Sequence, residues 1–370
     1  MNLKEIFDLP TQEKWLQIIQ KELKEISYQS LFKKNNDGIP YAPIYHQHLD
    51  YEQPIKTQFP EYVSYPHFPY SKTVFALASD FKPNDFDTVF RSLSYSSVAK
   101  FTQKQDFYLL ISDFYHPENF LSILEELPTF ITKFKGIVID LSYLQECGAN
   151  NIDSLSLGLY FLEKIPRHNE VILKIAVAND FYAEIAKLRA MNFILQNFGF
   201  SHIKIWAKTA EINKSLLHLE NNLIRLTTET VAAVLGGCHF ISILPFDLNP
   251  NEEFSVRISK NILNLLKHEA YLDKVIDPLR GSFAIEKLTN SYTSFIFQQL
   301  LFWKSVQAEN LWKTILTKTH ENLRQIVSKY QNKEHLLIGV NIYPYAQETR
   351  SEIKLNFPET LTPVRIAQLL

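Results

Sequence analysis

From residue 73 onward the chain carries a recurring pattern of short β-branched and apolar runs, each of strand length: TVFALAS, SVAKFT, YLLISD, GIVIDLS, VILKIAVA, IKIWAKT and FISILPF. Between most of them the apolar positions shift to helical spacing, over residues 152–164, 181–196 and 228–235. Strands that alternate with helices predict parallel pairing through right-handed crossovers. Seven strands are legible before Asp247, and residues 274–276 offer an eighth, which would close a barrel. The step from SVAKFT to YLLISD is too short for a crossover helix, so that unit must be irregular. An open doubly wound sheet satisfies the same pattern.

Alternation within a strand sorts side chains onto two faces. In IKIWAKT it places Ile203, Ile205 and Ala207 toward helices and turns Lys204, Trp206 and Lys208 the other way. In VILKIAVA it opposes Leu173, Ile175 and Val177 to Lys174 and Ala176. If the sheet closes, its bore receives Trp206 and several lysines; the alternative, lysines at strand ends reaching solvent, fits the pattern equally well.

Ahead of the strands, residues 11–26 place Trp15, Leu16, Ile18, Ile19, Leu23 and Ile26 on one helical face, with Thr11 as N-cap after Pro10. The segment that follows, from Asn35 to Pro60, contains NNDGIPYAPIY, which proline excludes from regular helix; it is expected to be an extended arm lying on another surface. Two loops are also clear. Gly236-Gly237 can end the preceding helix with a positive φ, and Pro278 and Gly281 make IDPLRGS a tight return.

Composition narrows the class. The chain has 370 residues, a net charge of −2, 46% hydrophobic and 21% charged residues, the balance of a globular protein with a sizeable core. Lys33-Lys34 is the one basic cluster, so nucleic acid is not expected as a partner. The longest stretch free of charged residues, 230–246, is too short and interrupted for a membrane span, and the mixed-charge start has no signal-peptide form; a cytoplasmic location is expected. Cys147 and Cys238, the only cysteines, are read as buried thiols.

Local chemistry is sparse. With nine glycines, the chain has neither a G-x-G-x-x-G nor a P-loop motif, and no H-E-x-x-H or G-x-S-x-G. His46 and His48, beside Tyr45 and Asp50, lack an evident third ligand, so no metal site is expected. Asp113, Asp140 and Asp247 stand at strand ends, where barrel enzymes place catalytic groups and where carboxylates also cap helices or anchor turns.

Several segments taken together nevertheless resemble the barrel domain of methylmalonyl-CoA mutases. They are YLQECGAN from Tyr143, AEIAKLRA from Ala183, NNLIRLTTETVAAVLGG from Asn221, ILPFD ending at Asp247, the stretch from Phe254 to Ser282, and IGVNIYP ending at Pro344. Order and spacing agree from about residue 136 to 345, more loosely over the DGIPYAPIY arm, and the stretch 222–282 is the specific part. The resemblance implies a (β/α)8 TIM barrel with an N-terminal helix and extended arm. It divides the chain into a helix and partner-wrapping arm (1–60), the barrel (61–345) and a linker-like tail (346–370). In this family an adenosylcobalamin-derived radical interconverts methylmalonyl-CoA and succinyl-CoA. CoA threads the barrel, and cobalamin lies between its mouth and a separate carboxyl-terminal domain.

The departures from that pattern are equally specific. The D-x-H-x-x-G cobalamin motif occurs nowhere in the chain, so the cobalamin-binding domain is expected to be absent and the cofactor carried by another chain. In place of Y-H-M-Q-E-A-G-A, after the strand counted as fourth, stands SYLQECGA, with Tyr143 where the family's histidine meets the thioester carbonyl. No T-I-R-Q-Y-A-G-F occurs between Phe59 and Ser79. After the strand counted as sixth, a segment beginning at Lys208 replaces Q-T-S-G-W-S-L-T. Gln145, Glu146, Arg225, Thr227 and Glu229 remain in family positions.

Tyr143, Gln145, Glu146, Lys208, Arg225, Thr227 and Glu229 are thus expected to form a vestigial substrate-binding mouth with no catalytic residue, Arg225 and Glu229 pairing with each other or with the helix dipole. The family pattern implies a non-catalytic small subunit supporting a large catalytic subunit in a heterodimer, with a homodimer possible for the isolated chain. The alternative is a catalytic acyl-CoA mutase barrel that works with a separate cobalamin-binding chain.

Overall fold

A computed structural model describes residues 11–24, 26–45, 58–64, 73–76, 88–98, 100, 103–111, 114–166, 170–200, 202–344 and 360–370. In chain order the elements begin with helix α1 (Gln12–Leu23), strands β1 (Lys33–Lys34) and β2 (Pro40–Tyr41), β3 (Glu61–Ser64), β4 (Thr73–Ala76), β5 (Thr88–Leu93) and α2 (Tyr95–Val98). They continue with β6 (Gln105–Ile111), α3 (Phe120–Lys133), β7 (Phe134–Asp140), α4 (Leu141–Glu146), α5 (Asn151–Leu162), β8 (Val171–Val177), α6 (Phe181–Asn197), β9 (Lys204–Thr209) and α7 (Leu219–Gly236). Last come β10 (Phe240–Ser242), α8 (Glu253–His268), α9 (Phe283–Ser305), α10 (Ala308–Gln331) and α11 (Ile366–Leu369).

Strands β3 to β10 form a closed, all-parallel barrel, completed where β10 pairs with both β9 and β3. Closure answers the choice left open by the sequence pattern. Two expected strands are corrected. Of SVAKFT, Ser97 and Val98 end the helical turn α2 instead, with Val98 N–H bonded to the Ser94 carbonyl; a short apolar run alone does not distinguish strand from helix. Residues 274–276 are turn, with Val275 and Ile276 61% and 72% exposed, so they have no core to enter. The strands that complete the count are EYVS and TVFRSL, neither of which reads as an apolar run. Tyr143 consequently follows the fifth barrel strand and Lys208 lies on the seventh, one later than the pattern suggested.

Both faces of a parallel barrel are covered, which is why β8 is buried at every position. Leu173, Ile175, Val177, Ile205 and Ala207 join the outer core, as alternation predicts, with α4 and α7 against β8 and α7 against β9. The inward set forms a separate cluster: Val63, Phe90, Tyr108, Leu110, Val138, Ile172, Trp206 and Phe240. Gly136 makes room in that cluster. A Cβ there would stand 2.8 Å from the Tyr108 ring and 2.6 Å from the Glu170 carbonyl.

The predicted helix from Thr11 forms, with the Thr11 hydroxyl accepting the Lys14 N–H at 3.2 Å, and none of α1 is buried. Beyond it β1 and β2 make a small antiparallel pair. Asp37 accepts both the backbone and side-chain N–H groups of Asn151 at 2.8 Å, Asn35 donates to the Tyr292 hydroxyl at 3.0 Å, and the Tyr41 hydroxyl donates to Asp180. Residues 33–41 of the arm therefore lie on their own barrel's helices. Gly237, at φ 82°, caps α7 as read from the sequence. The IDPLRGS loop is pinned by buried Arg189, which donates to Asp277 and, at 2.9 Å, to Glu286.

Replacing Gly136 with alanine forces the Tyr108 ring and the β7–β8 edge apart. We expect a loss of about 1–3 kcal/mol, measured by denaturant unfolding.

Candidate functional site

The inward residues of β5 to β10 build the barrel axis in two layers. In the middle, Phe90 stacks on Trp206 with centroids 4.6 Å apart, while Tyr108 and Phe240 close around Phe90 at 5.3 and 5.4 Å. Trp206 is 1% exposed and Phe90 fully buried, so aromatic carbon fills the bore. The indole N–H is satisfied by Ser242 Oγ at 3.0 Å.

Toward the carboxyl ends of the strands the lining turns polar. Asp140 and Lys174 are register partners on β7 and β8, and their side chains pair at 2.8 Å. The Lys174 ammonium also sits 5.0 Å over the Trp206 ring. Burial alone would raise the Asp140 carboxyl, but Lys174 outweighs it and holds the group below the usual carboxylate range. Asp140 also accepts the Tyr143 N–H at 3.3 Å, so it caps α4 as well. Asp247 makes a turn, accepting the Asn249 N–H at 3.0 Å. Asp113, His46, His48 and Asp50 lie outside the described residues.

Of the expected mouth residues, Glu146 and Lys208 do meet. The buried Glu146 carboxylate takes the Lys208 ammonium at 3.2 Å and the N–H groups of Glu211 and Ile212 at 2.8 Å, clasping the segment after β7 to the segment after β9. Gln145 turns away from the axis: its oxygen accepts the Ala176 N–H at 2.7 Å and its nitrogen donates to Asn151 at 2.8 Å. The Tyr143 ring stacks on Tyr115 and its hydroxyl donates to the Leu361 carbonyl at 2.8 Å. Burial is the main reason that hydroxyl is pushed up to about 12.

On α7 the expected pairing of Arg225 with Glu229 is replaced. Glu229 binds the Lys214 ammonium at 2.7 and 2.8 Å and accepts from Asn213 at 2.7 Å, and both charged side chains are fully buried. Arg225 donates to Asn222 at 3.0 Å and to the Ile338 carbonyl at 2.5 Å, and Thr227 donates to its own helix at Leu223. The helix face of Glu229 is turned to the 213–215 segment, so Lys214 reaches it first. Lys214 was missed because it comes from a loop of no regular period, whose path is set only when the barrel closes.

Among the described residues no group of three His, Cys, Asp or Glu side chains could hold a metal ion. Cys147 and Cys238 are buried free thiols, and burial pushes Cys238 up to about 12. No described helix is long and apolar enough to cross a membrane. Among the described residues, Asp140 pairs with Lys174 and Glu146 with Lys208 and two backbone N–H groups.

Comparison with known proteins gives a consistent family. The family described as methylmalonyl-CoA mutase matches residues 129–369. The methylmalonyl-CoA mutase small subunit of Porphyromonas gingivalis is 29% identical over 248 residues, 62% of this chain and 38% of that protein. The methylmalonyl-CoA mutase of Rhizobium meliloti is 29% identical over 203 residues, 48% of this chain and 28% of its own length. A methylmalonyl-CoA mutase small subunit of Streptomyces virginiae is 28% identical over 177 residues, covering 40% of this chain and 26% of its own. The chain thus matches well under half the length of each of these relatives.

Two measurements follow from the charges. Lys214→Met strands the buried Glu229 carboxylate and should cost about 3–5 kcal/mol, whereas Lys214→Met with Glu229→Leu should recover most of that loss in the same unfolding assay. The depressed Asp140 stabilises the fold above its unfolded value near 3.9, and this contribution disappears as pH falls through the lower folded value. In Lys174→Met the carboxylate loses its partner, so the deficit against the parent chain should be largest above about pH 4 and shrink on acidification, followed by urea unfolding across pH.

Proposed function

The chain belongs to the methylmalonyl-CoA mutase family, and we propose that it serves there as the small, non-catalytic subunit of a heterodimeric, adenosylcobalamin-dependent mutase, supporting a large subunit that interconverts methylmalonyl-CoA and succinyl-CoA. The observation that carries this reading is the filled bore. A pantetheine arm threading the barrel would have to displace the Phe90–Trp206 stack, against which Tyr108 and Phe240 also pack.

The polar layer above it points the same way. A barrel that grips a carboxylated thioester needs cations and donors held free for the substrate, because discrimination comes from buried polar groups that pair only with the right ligand. Here Lys174 and Lys208 are matched to Asp140 and Glu146, and Gln145 is spent on β8 and α5. The names of the Porphyromonas and Streptomyces relatives support the small-subunit role.

Residues of this chain do not suit cobalamin. No D-x-H-x-x-G motif supplies an axial histidine within the 370 residues, and the charges at the barrel mouth are already paired. We assign the cofactor to the partner and no step of the isomerisation to this chain. Its work is to bind the large subunit in the cytoplasm, and α1 offers an apolar face for that contact, with Ile18 58% exposed and no helix residue buried.

The test is co-expression with the larger homologous chain, together with calorimetric titration of the isolated chain with methylmalonyl-CoA and succinyl-CoA. A stable one-to-one complex, with no CoA thioester binding below about 1 mM by the small chain alone, is the expected result. Mutase activity of this chain with only a separate cobalamin-binding protein added would replace this reading with the catalytic one.

A further inference from the structure

The basic pair Lys33-Lys34 takes no part in the barrel mouth; the fold sets it instead on the wall of a separate cleft. That cleft, about 690 Å³ in volume, opens between the arm, the loop from β8 to α6 and the end of α10. Strand β1 supplies Lys33 and Lys34, the loop supplies Asn179 and Asp180, and the last turn of α10 with the residues after it supplies Lys329, Glu334 and His335. None of the expected mouth residues lines it. The arm is anchored beside it, because β1 pairs with β2 and the Tyr41 hydroxyl of β2 donates to Asp180.

Lysines from opposite ends of the chain therefore share one cleft. None of the three makes an ion pair with a described residue. Like charges gathered in this way repel until an anion joins them. Of the two carboxylates on the walls, Asp180 is committed to the Tyr41 hydroxyl and to the Ala183 N–H at 3.4 Å, where it caps α6, and Glu334 is exposed to solvent. Asn36, also on the wall, keeps a buried Oδ1 with no hydrogen-bond partner, and Tyr41, Tyr330 and Leu336 add apolar surface. We propose that this cleft is a binding site for a small phosphorylated molecule, its phosphate held by Lys33, Lys34 and Lys329 and its hydroxyl-bearing remainder set against Asn36 and the two tyrosines. The volume lies within the roughly 300–1,000 Å³ of small-molecule sites. A phosphate suits the cleft better than a single carboxylate does, since its several oxygens and double charge can meet more than one ammonium group, each acting as a point charge. The site involves neither the bore nor a partner chain, so its failure and the failure of the small-subunit reading are separate outcomes.

Calorimetric titration of the full isolated chain at low ionic strength tests this, with glycerol 3-phosphate and inorganic phosphate as probes and acetate as the carboxylate control. Glycerol 3-phosphate should bind with a Kd below about 1 mM, inorganic phosphate more weakly, and acetate not measurably. Lys33→Ala and Lys329→Ala should each weaken the ester by about fivefold or more, and the double variant should remove measurable binding, with unfolding midpoints at the parent value. Lys313→Ala, at an exposed position of α10 that does not line the cleft, should bind as the parent chain does. Acetate binding as tightly as the ester, undiminished binding in both cleft variants, or an equal loss in Lys313→Ala would overturn the site. Inorganic phosphate binding as tightly as the ester would overturn the part given to Asn36 and the tyrosines.

Discussion

The stack of Phe90 on Trp206 at the barrel axis is the constraint around which the rest of this protein is arranged. A closed parallel barrel must fill its interior, and the usual solution is layers of branched aliphatic side chains. Here Phe90, Tyr108, Trp206 and Phe240 share that interior with Val63, Leu110, Val138 and Ile172. Accommodating them has consequences on neighbouring strands: Gly136 gives up its side chain to the Tyr108 ring, and Ser242 supplies the acceptor that a buried indole requires.

Charge follows the same logic one layer up. Ionised groups taken out of water are tolerated only when paired and hydrogen-bonded. Asp140 with Lys174, Glu146 with Lys208, and Glu229 with Lys214 each meet that condition inside the chain. An enzyme leaves such groups under-satisfied until substrate arrives. Their full satisfaction here turns residues in family positions into internal fasteners: Gln145 ties α4 to β8, and Glu146 ties two loops together.

The arm and the tail are tied down by the same kind of interaction, an oriented side chain meeting a backbone group across a long sequence separation. Asp37 caps α5 from the arm, and Tyr143 holds Leu361 in the tail. Helix α1 is the exception, amphipathic and without a buried residue, and the small-subunit proposal gives that face a partner.

Periodicity alone was enough for the alternation of strand and helix, for setting Lys174, Trp206 and Lys208 on the face opposite the helix-facing residues, for the N-cap at Thr11 and for the glycine cap at Gly237, because each depends on residues a few positions apart; that this face lines a bore was decided by closure. The family match rested on local segments for the same reason. Strands EYVS and TVFRSL escaped notice because short strands bearing polar or charged residues have no apolar signature, and SVAKFT misled because so short an apolar run does not distinguish a helical turn, which Ser97 and Val98 join, from a strand. The roles of Tyr143, Glu146 and Glu229 lay beyond any such reading. Their partners, Leu361, Ile212 and Lys214, come from loops and a tail without regular period, and only closure of the barrel brings those carbonyls, amides and ammonium groups within hydrogen-bonding distance.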